Sequence, residues 1–335
     1  MPGYSPGSWP PTIYSDVDSK IGTLIFMSLN PTSSPSVQIE VRAVDCFQNR
    51  KPRFDRLALV DYTPKAATRE QALAFERSVG IQHAVIVLPS VYGTNNSVLI
   101  DALRSTNGTY RGVCVLDLSA KIDNNTLQTF HDAGVRGIRI NYGNEGTDAQ
   151  ITADTIRAAS IAQIHDWTLQ LWVPIASFKS LHPIIPTLGV RVVADHYAHA
   201  MTASRTGNLH NAIDPFSIPG FREVVDLMRQ NHLFVKISAP YQNSRDEPLY
   251  SDLRVIAETL MLHGPDMVVF GSDWPHTASK EGNGAGGRLV EQDFRDVDDQ
   301  AILQQTLEWA GTQAQVRRLF VDNPRRLWGW TDMGA

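Results

Sequence analysis

Polar side chains that could do chemistry follow apolar runs at several points in the chain, and the clearest case lies near the C-terminus. The segment VVFGSDWPH, residues 268–276, is apolar until it reaches Asp273. A carboxylate at such a position, partly withdrawn from water, can accept a proton from a water molecule and so drive hydrolysis. The alternative is that Asp273 caps a turn before Pro275, which is a common use of aspartate. The residues alone leave both interpretations open.

Other apolar runs also end on polar residues. Asp195 and His196 end one run, with His199 just beyond it, and Arg139 lies near the end of another. In a barrel of parallel strands, chemistry takes place at the C-terminal ends of the strands. An aspartate, a histidine and an arginine on different strands would therefore meet at one mouth.

The elements that must position these residues follow from hydrophobic periodicity. Eight apolar, β-branched runs are typical of buried parallel strands. They are Val37–Phe47, His83–Ser90, Gly112–Leu118, Gly134–Tyr142, Thr168–Ile175, Val190–His199, Leu233–Pro240 and Met267–His276. Helical patterns lie between them, such as Thr68–Gly80 with a capping box of Thr68 and Gln71. The alternation over roughly 250–300 residues predicts an α/β fold, a (β/α)8 TIM barrel, with an open doubly wound sheet as the alternative.

Composition bounds the class of protein. The chain has 335 residues with 30 Lys and Arg against 35 Asp and Glu, and this acidic balance argues against a nucleic-acid partner. Its two cysteines cannot form a disulfide framework, and the apolar run at residues 21–29 is too short to cross a bilayer. We expect a cytoplasmic protein with a small-molecule substrate and no membrane or nucleic-acid partner. Residues 1–36, rich in Pro, Ser and Gly, predict an irregular N-terminal arm before a barrel domain over 37–335.

Five segments together resemble the amidohydrolase superfamily, in particular its branch of 2-pyrone-4,6-dicarboxylate lactonases and related sugar lactonases. They are VLPSVYGTNN at 87–96, HDAGVRGIRIN at 131–141, VVADH at 192–196, VFGSDWPH at 269–276 and VDNPRRLWGW at 321–330. The resemblance extends over about residues 37–330 and implies a (β/α)8 barrel.

By position, the resemblance also implies roles for single residues. Asp273 matches the general base that activates water, and His196 matches a histidine that contacts the scissile carbonyl. Ser90, Arg139 and Tyr62 match residues that hold the substrate, and a guanidinium suits a carboxylate because it forks onto two oxygens. The alternatives are a buried ion pair for Arg139 and a hydrogen-bonded core histidine for His196.

The chain departs from the family pattern at the first strand. The family carries His-x-His there, and its metal-dependent members use both histidines as ligands. Here Ala43 and Asp45 take those places. Because a zinc site needs three or four protein ligands, we expect neither a metal nor another cofactor.

The expected pocket is less cationic and more aromatic than in the lactonases. Glu145 and Gln242 stand where those enzymes have further cations, and Trp172 replaces a tyrosine. A substrate with a single carboxylate, or a phenolic ring stacked on Trp172 and Trp274, fits this pocket best. His276 and Asp45 complete the set of expected substrate-binding residues.

These observations predict a metal-independent hydrolase. It would cleave a lactone or similarly activated carbonyl of a carboxylated or aromatic, polyketide-like small molecule, using water activated by Asp273. Two alternatives stay open. One is a decarboxylase or other carbon–carbon lyase of an aromatic acid. The other is a non-catalytic binding barrel that has lost His-x-His.

Overall fold

The structure is a computed structural model that describes residues 37–42, 62–106, 108–212 and 214–330, with only the backbone described for 37–42. The predicted N-terminal arm, residues 1–36, and Asp45 lie outside the described residues.

Eight parallel strands form one sheet whose order follows the chain. They are β1 Val37–Arg42, β2 Ile81–Val87, β3 Arg111–Cys114, β4 Val135–Asn141, β5 Thr168–Trp172, β6 Val192–Ala194, β7 Phe234–Ser238 and β8 Val268–Gly271. The order closes on itself, because β1 pairs with β2 along its length and with β8 through Glu40 and Gly271. Each predicted run overlaps one of these strands, with β2 and β3 beginning one or two residues before their runs, and the predicted α/β class is confirmed.

Helices lie between the strands and after β8. They are α1 Arg69–Val79, α2 Ser97–Arg104, α3 Asn124–Ala133, α4 Asp148–Ala162, α5 Phe178–Leu181, α6 Ala203–Thr206, α7 Phe221–Arg229, α8 Pro240–Asn243, α9 Arg254–His263, α10 Asp299–Ala310, α11 Gln313–Arg317 and α12 Asn323–Trp328. A separate two-stranded ribbon pairs Thr63–Pro64 with Glu291–Gln292. In the part of the chain that the structure describes, no helix is both long and apolar enough to cross a membrane.

Helix α1 begins with the predicted capping box. The Gln71 backbone N–H donates to the Thr68 hydroxyl, and the Gln71 side-chain oxygen accepts from the Thr68 N–H. These bonds satisfy two of the backbone donors that a helix leaves open at its start. The helix ends at Gly80, whose φ of 75° is left-handed.

The C-terminal helix α12 packs against the N-terminal end of the sheet. Thr168, the first residue of β5, donates its hydroxyl to the carbonyl of Leu327 at 2.7 Å. Trp328 is buried, and the Lys236 ammonium lies 5.7 Å from its ring centre. Since α12 covers this end, the polar strand ends described below lie at the opposite, C-terminal end of the strands.

Candidate active site

Left-handed backbone clusters directly after β6, β7 and β8. Residues His196–His199 all have positive φ, and so do Ala239, Asp273 and His276. Residues other than glycine avoid this region because the Cβ atom crowds the backbone, and such strain concentrates at functional sites. The sequence gives no signal for this backbone conformation, because none of these positions is a glycine. The strained backbone therefore indicates a functional site at the C-terminal ends of these three neighbouring strands.

Asp273 lies buried just after β8, with 4% of its surface exposed. The Tyr241 hydroxyl, from α8 after β7, donates to the Oδ2 atom of Asp273 at 2.6 Å. The turn that follows is supported by Ser272, whose hydroxyl accepts from the Trp274 N–H at 3.1 Å. The Asp273 side chain is thus oriented by a partner from the neighbouring strand end, as a group held for chemistry would be.

His276, expected to bind substrate, lies beside Tyr241. Its Nδ1 is 3.5 Å from the Tyr241 hydroxyl, and its Nε2 is 2.8 Å from Oδ2 of Asp299, the first residue of α10. Arg295 places its guanidinium carbon 4.9 Å from the centre of the Tyr241 ring. Sequence reasoning missed Tyr241, Asp299 and Arg295, because they lie outside the strand runs that it followed.

His196 is buried after β6 and its Nδ1 lies 2.8 Å from the hydroxyl of Ser238, the last residue of β7. Its ring packs edge-on against Trp172, with 5.7 Å between ring centres. Strand β7 lies between β6 and β8 in the sheet. Its C-terminal end therefore contacts both predicted catalytic groups, His196 through Ser238 and Asp273 through Tyr241.

A buried charge cluster surrounds Asp195. Arg139 contacts its Oδ2 through Nε and Nη2, each at 3.2 Å, and Lys236 contacts its Oδ1 at 2.9 Å. The Gln170 amide also donates to Oδ2 at 2.9 Å. Burial would raise the pKa of Asp195, but the charges of Lys236 and Arg139 outweigh it and hold the pKa well below its usual range.

Arg139 lies in this cluster and forms a buried ion pair with Asp195, as in the alternative interpretation of the sequence. The Arg139 guanidinium carbon also lies 5.1 Å from the centre of the Trp172 ring. Arg139 is therefore held between a carboxylate and an aromatic face, close to the ring that contacts His196.

The other predicted substrate-binding residues are more dispersed. The Tyr62 hydroxyl lies 2.9 Å from that of Thr277, and Ser90 is exposed in a turn after β2. Trp274 stacks on Phe75 of α1, with ring centres 5.5 Å apart and nearly parallel planes. Trp172 and Trp274 thus pack against different neighbours, Arg139 and His196 in one case and helix α1 in the other.

Two loops at this end of the sheet are joined by an ion pair. Lys280, after β8, contacts Oε1 of Glu145, after β4, at 2.7 Å. The hydrogen bond from Lys280 and its charge lower the pKa of the Glu145 carboxyl. Lys280 thus balances the negative charge of Glu145, the residue expected at the place of a cation in related lactonases.

A zinc ion of the kind used by metal-dependent family members does not fit the donors found. Among the described residues, no three His, Cys, Asp or Glu side chains lie close enough together to hold a metal ion. A zinc site needs three or four protein ligands.

The site, the parallel sheet and the sequence together define the class of protein. The amidohydrolase family model (Amidohydro_2) matches residues 50–330, so the chain belongs to this family and is an amidohydrolase-type hydrolase. The match begins after Ala43 and Asp45, the two positions where His-x-His is replaced.

Curated relatives and solved structures fit this assignment. The chain is 29% identical over 277 residues to 4-sulfomuconolactone hydrolase of Hydrogenophaga intermedia, covering 82% of this chain and 83% of that one. It is 28% identical over 276 residues to a 2-pyrone-4,6-dicarboxylate hydrolase of Comamonas testosteroni, covering 80% and 82%. The crystal structure of a putative 2-pyrone-4,6-dicarboxylic acid hydrolase from Pseudomonas putida superposes with a TM-score of 0.67 at 23% identity, covering 89% of this chain and 98% of that one. That likeness shows the fold.

Proposed function

We propose that this chain hydrolyses a lactone, or a similarly activated carbonyl, of a carboxylated or aromatic small molecule, with water activated by Asp273 and without a metal. The observation that carries the proposal is the pair of buried side chains, Asp273 and His196, which are both tied to the end of β7. Lactone hydrolases among the relatives support the reaction type. The closed parallel sheet is proposed to be a complete (β/α)8 barrel with this site at its mouth.

In the proposed mechanism, Asp273 takes a proton from water as the water oxygen attacks the lactone carbonyl. The acyl C–O bond then breaks, and the former ring oxygen leaves as a hydroxyl after taking the second proton of the attacking water. His196 donates to the carbonyl oxygen as negative charge develops on it. A single donor of this kind contributes about 2.7–4 kcal/mol in a site that excludes water.

The charge cluster supports a substrate with one carboxylate. Arg139 and Lys236 bring two positive charges against the one negative charge of Asp195. The Trp172 ring, beside Arg139 and His196, is proposed to pack on a planar ring of the substrate.

Ser90 and Tyr62 are proposed to hold the outer part of the substrate. Glu145 pairs with Lys280, whose charge would otherwise be available to a second carboxylate, so a substrate with several carboxylates, such as a pyrone dicarboxylate, should be a poor one.

The test is a pair of nearly isosteric variants measured against a panel of lactones and esters. Asp273→Asn keeps the shape but removes the basicity, so kcat should fall by about 10²-fold or more with little change in KM. His196→Asn should also lower kcat, because the contact with the carbonyl oxygen is lost. Asp132→Asn, in the exposed end of α3, is the matched control and should leave kcat unchanged.

Other outcomes would favour the alternatives. If Asp273→Asn keeps most of the activity, the base is misassigned and the mechanism fails. Release of CO2 from an aromatic acid, without ring opening of any lactone, would indicate a lyase. Tight binding of these compounds with no turnover would indicate a binding barrel.

A further inference from the structure

A row of hydrogen-bonding groups leads from Asp273 away from the proposed reaction centre. It passes from Asp273 to Tyr241, then to His276 and finally to Asp299. We propose that Tyr241, His276 and Asp299 form a proton relay that carries the proton taken up by Asp273 out of the barrel. The proposal rests on the proposed function of Asp273 as the base.

The two outer contacts in this row are already short, and only the middle contact would have to shorten during the reaction. The Tyr241 hydroxyl donates to Asp273 Oδ2 at 2.6 Å, and His276 Nε2 lies 2.8 Å from Asp299 Oδ2. The middle step, from the Tyr241 hydroxyl to His276 Nδ1, is 3.5 Å. Catalytic hydrogen bonds are often long before substrate binds and tighten in the reactive complex.

Exposure increases along the row. The side chain of His276 is 5% exposed, whereas that of Asp299 is 18% exposed and reaches the surface. Asp299 lies in the first turn of α10, where the helix dipole favours a negative charge. The row therefore starts at a buried carboxyl group and ends at one that is partly exposed at the surface.

The pairing with Asp299 sets which nitrogen of His276 can accept a proton. In a neutral ring, donation from Nε2–H to the carboxylate leaves the lone pair of Nδ1 directed at the Tyr241 hydroxyl. A carboxylate orients an imidazole beside a hydroxyl in the same way in serine hydrolases. Here the hydroxyl belongs to Tyr241, and its other neighbour is the base.

The charged groups around Tyr241 favour transfer through it. Arg295 lies over its ring and also donates its backbone N–H to the His276 carbonyl at 2.8 Å. A cation on the ring stabilises a tyrosine that is briefly anionic as its proton moves to His276. On the other side Asp273, once protonated, returns a proton to the Tyr241 oxygen.

In the proposed mechanism the leaving oxygen takes the second proton of the water, so the first proton stays on Asp273 and needs a path to solvent. Hydrolysis of a lactone consumes one water, breaks one acyl C–O bond, and forms a hydroxyl and a carboxylate. One proton of the water ends on the leaving oxygen, and the other is released at neutral pH. Asp273 can hold only one proton, so it must lose that proton before the next turnover. No oxidant, reductant or further reactant is needed.

The experiment compares three relay variants with two controls, using a lactone that the wild-type enzyme turns over. Tyr241→Phe, His276→Gln and Asp299→Asn should each lower kcat by about 10-fold or more. KM should stay within about 2-fold for Tyr241→Phe and Asp299→Asn, which are not among the expected substrate-binding residues. Tyr110→Phe and His83→Gln are matched changes of a buried tyrosine and a half-buried histidine elsewhere, and kcat should stay unchanged.

Two further readouts separate a relay from a structural role. In the His276 variant, added imidazole should restore kcat as its concentration rises, because a small base can replace the missing carrier. The solvent deuterium isotope effect on kcat should be larger in the relay variants than in wild type. Each variant is first checked for an unchanged thermal unfolding midpoint.

The outcomes distinguish the relay from the reaction on which it rests. If Asp273→Asn is inactive but Tyr241→Phe and His276→Gln keep wild-type kcat, the relay is wrong and the base assignment stands. A lower kcat with neither imidazole rescue nor a changed isotope effect also overturns the relay, because the residues then only support the fold. Full activity of Asp273→Asn overturns the proposed function itself.

Discussion

At the scale of single residues, the charges buried beside Asp195 matter both for the proposed substrate site and for the stability of the fold. Arg139 and Lys236 have almost no exposed side-chain surface, and both contact the Asp195 carboxylate. A charge removed from water is costly unless it is paired and hydrogen-bonded. The sequence identified Arg139 and noted the polar end at Asp195, but their pairing depends on contacts between residues 56 positions apart.

Arg139→Met tests the link between this cluster and the substrate. Loss of the guanidinium should raise KM about 10-fold or more for a lactone that carries a carboxylate, because the charge-assisted contact is lost. The neutral lactone with the same ring should be affected little, which makes it the internal control. Arg139→Lys keeps the charge without the fork and should be intermediate. An equal change for both substrates would show that Arg139 serves only Asp195.

Lys236→Met tests the pairing through stability. Removing one partner from a buried ion pair typically costs about 3–5 kcal/mol. The low pKa of Asp195 stabilises the fold above the carboxyl pKa of the unfolded chain, and this stabilisation is lost as pH falls through the folded-state pKa. Without Lys236 the folded-state pKa of Asp195 moves up toward its value in the unfolded chain, so the stability lost on acidification should be smaller than in wild type and should be complete at a higher pH.

The measurement for Lys236→Met is the thermal unfolding midpoint as a function of pH. Lys65→Met, which removes an exposed lysine paired with Asp293, is the control and should leave the unfolding midpoint nearly unchanged at every pH. A Lys236 variant that is as stable as wild type at every pH would show that Arg139 and Gln170 suffice for Asp195.

At the scale of elements, hydrophobic patterning located the strands but not the shapes of their ends. Apolar runs indicate burial, and each of the eight overlaps a strand. The left-handed segment His196–His199 has no comparable signal, because its residues resemble any polar strand end. The contact of Tyr241 with Asp273 was missed for a related reason, since it joins α8 to the end of β8 through tertiary packing.

Gly220, directly before α7, is a position where the fold requires a glycine. It precedes α7 with a φ of 97°, and a Cβ atom there would lie 2.0 Å from the carbonyl oxygen of Ile175. Gly220→Ala should therefore destabilise the protein by roughly 3 kcal/mol or more, through both the backbone strain and the clash.

The control for Gly220→Ala is Gly207→Ala. Gly207 has a φ of 73°, but a Cβ atom there would meet nothing within 4 Å. This variant isolates the cost of a left-handed alanine, about 1–2 kcal/mol. Denaturant unfolding of both proteins measures the difference. Equal losses would mean that the turn at Ile175 moves aside without cost.

At the scale of the whole molecule, the family assignment and the proposed chemistry rest on different parts of the chain. The family match over residues 50–330 includes β2 to β8, which carry Asp273, His196 and the charge cluster. Ala43 and Asp45, which the resemblance puts at the places of the family's two histidines, precede the match. A hydrolase that keeps its base but lacks the histidine pair is expected to work without a metal.

Metal content tests this expectation on the full chain. Zinc needs three or four ligands, and Ala43 offers no donor where the family pattern has a histidine. Purified protein should therefore contain far less than one equivalent of zinc by elemental analysis. Activity on a lactone should be unchanged after dialysis against a chelator, and added zinc or manganese should not increase it. One tightly bound equivalent, whose removal abolishes activity and whose return restores it, would contradict the metal-free mechanism and would assign water activation to a metal.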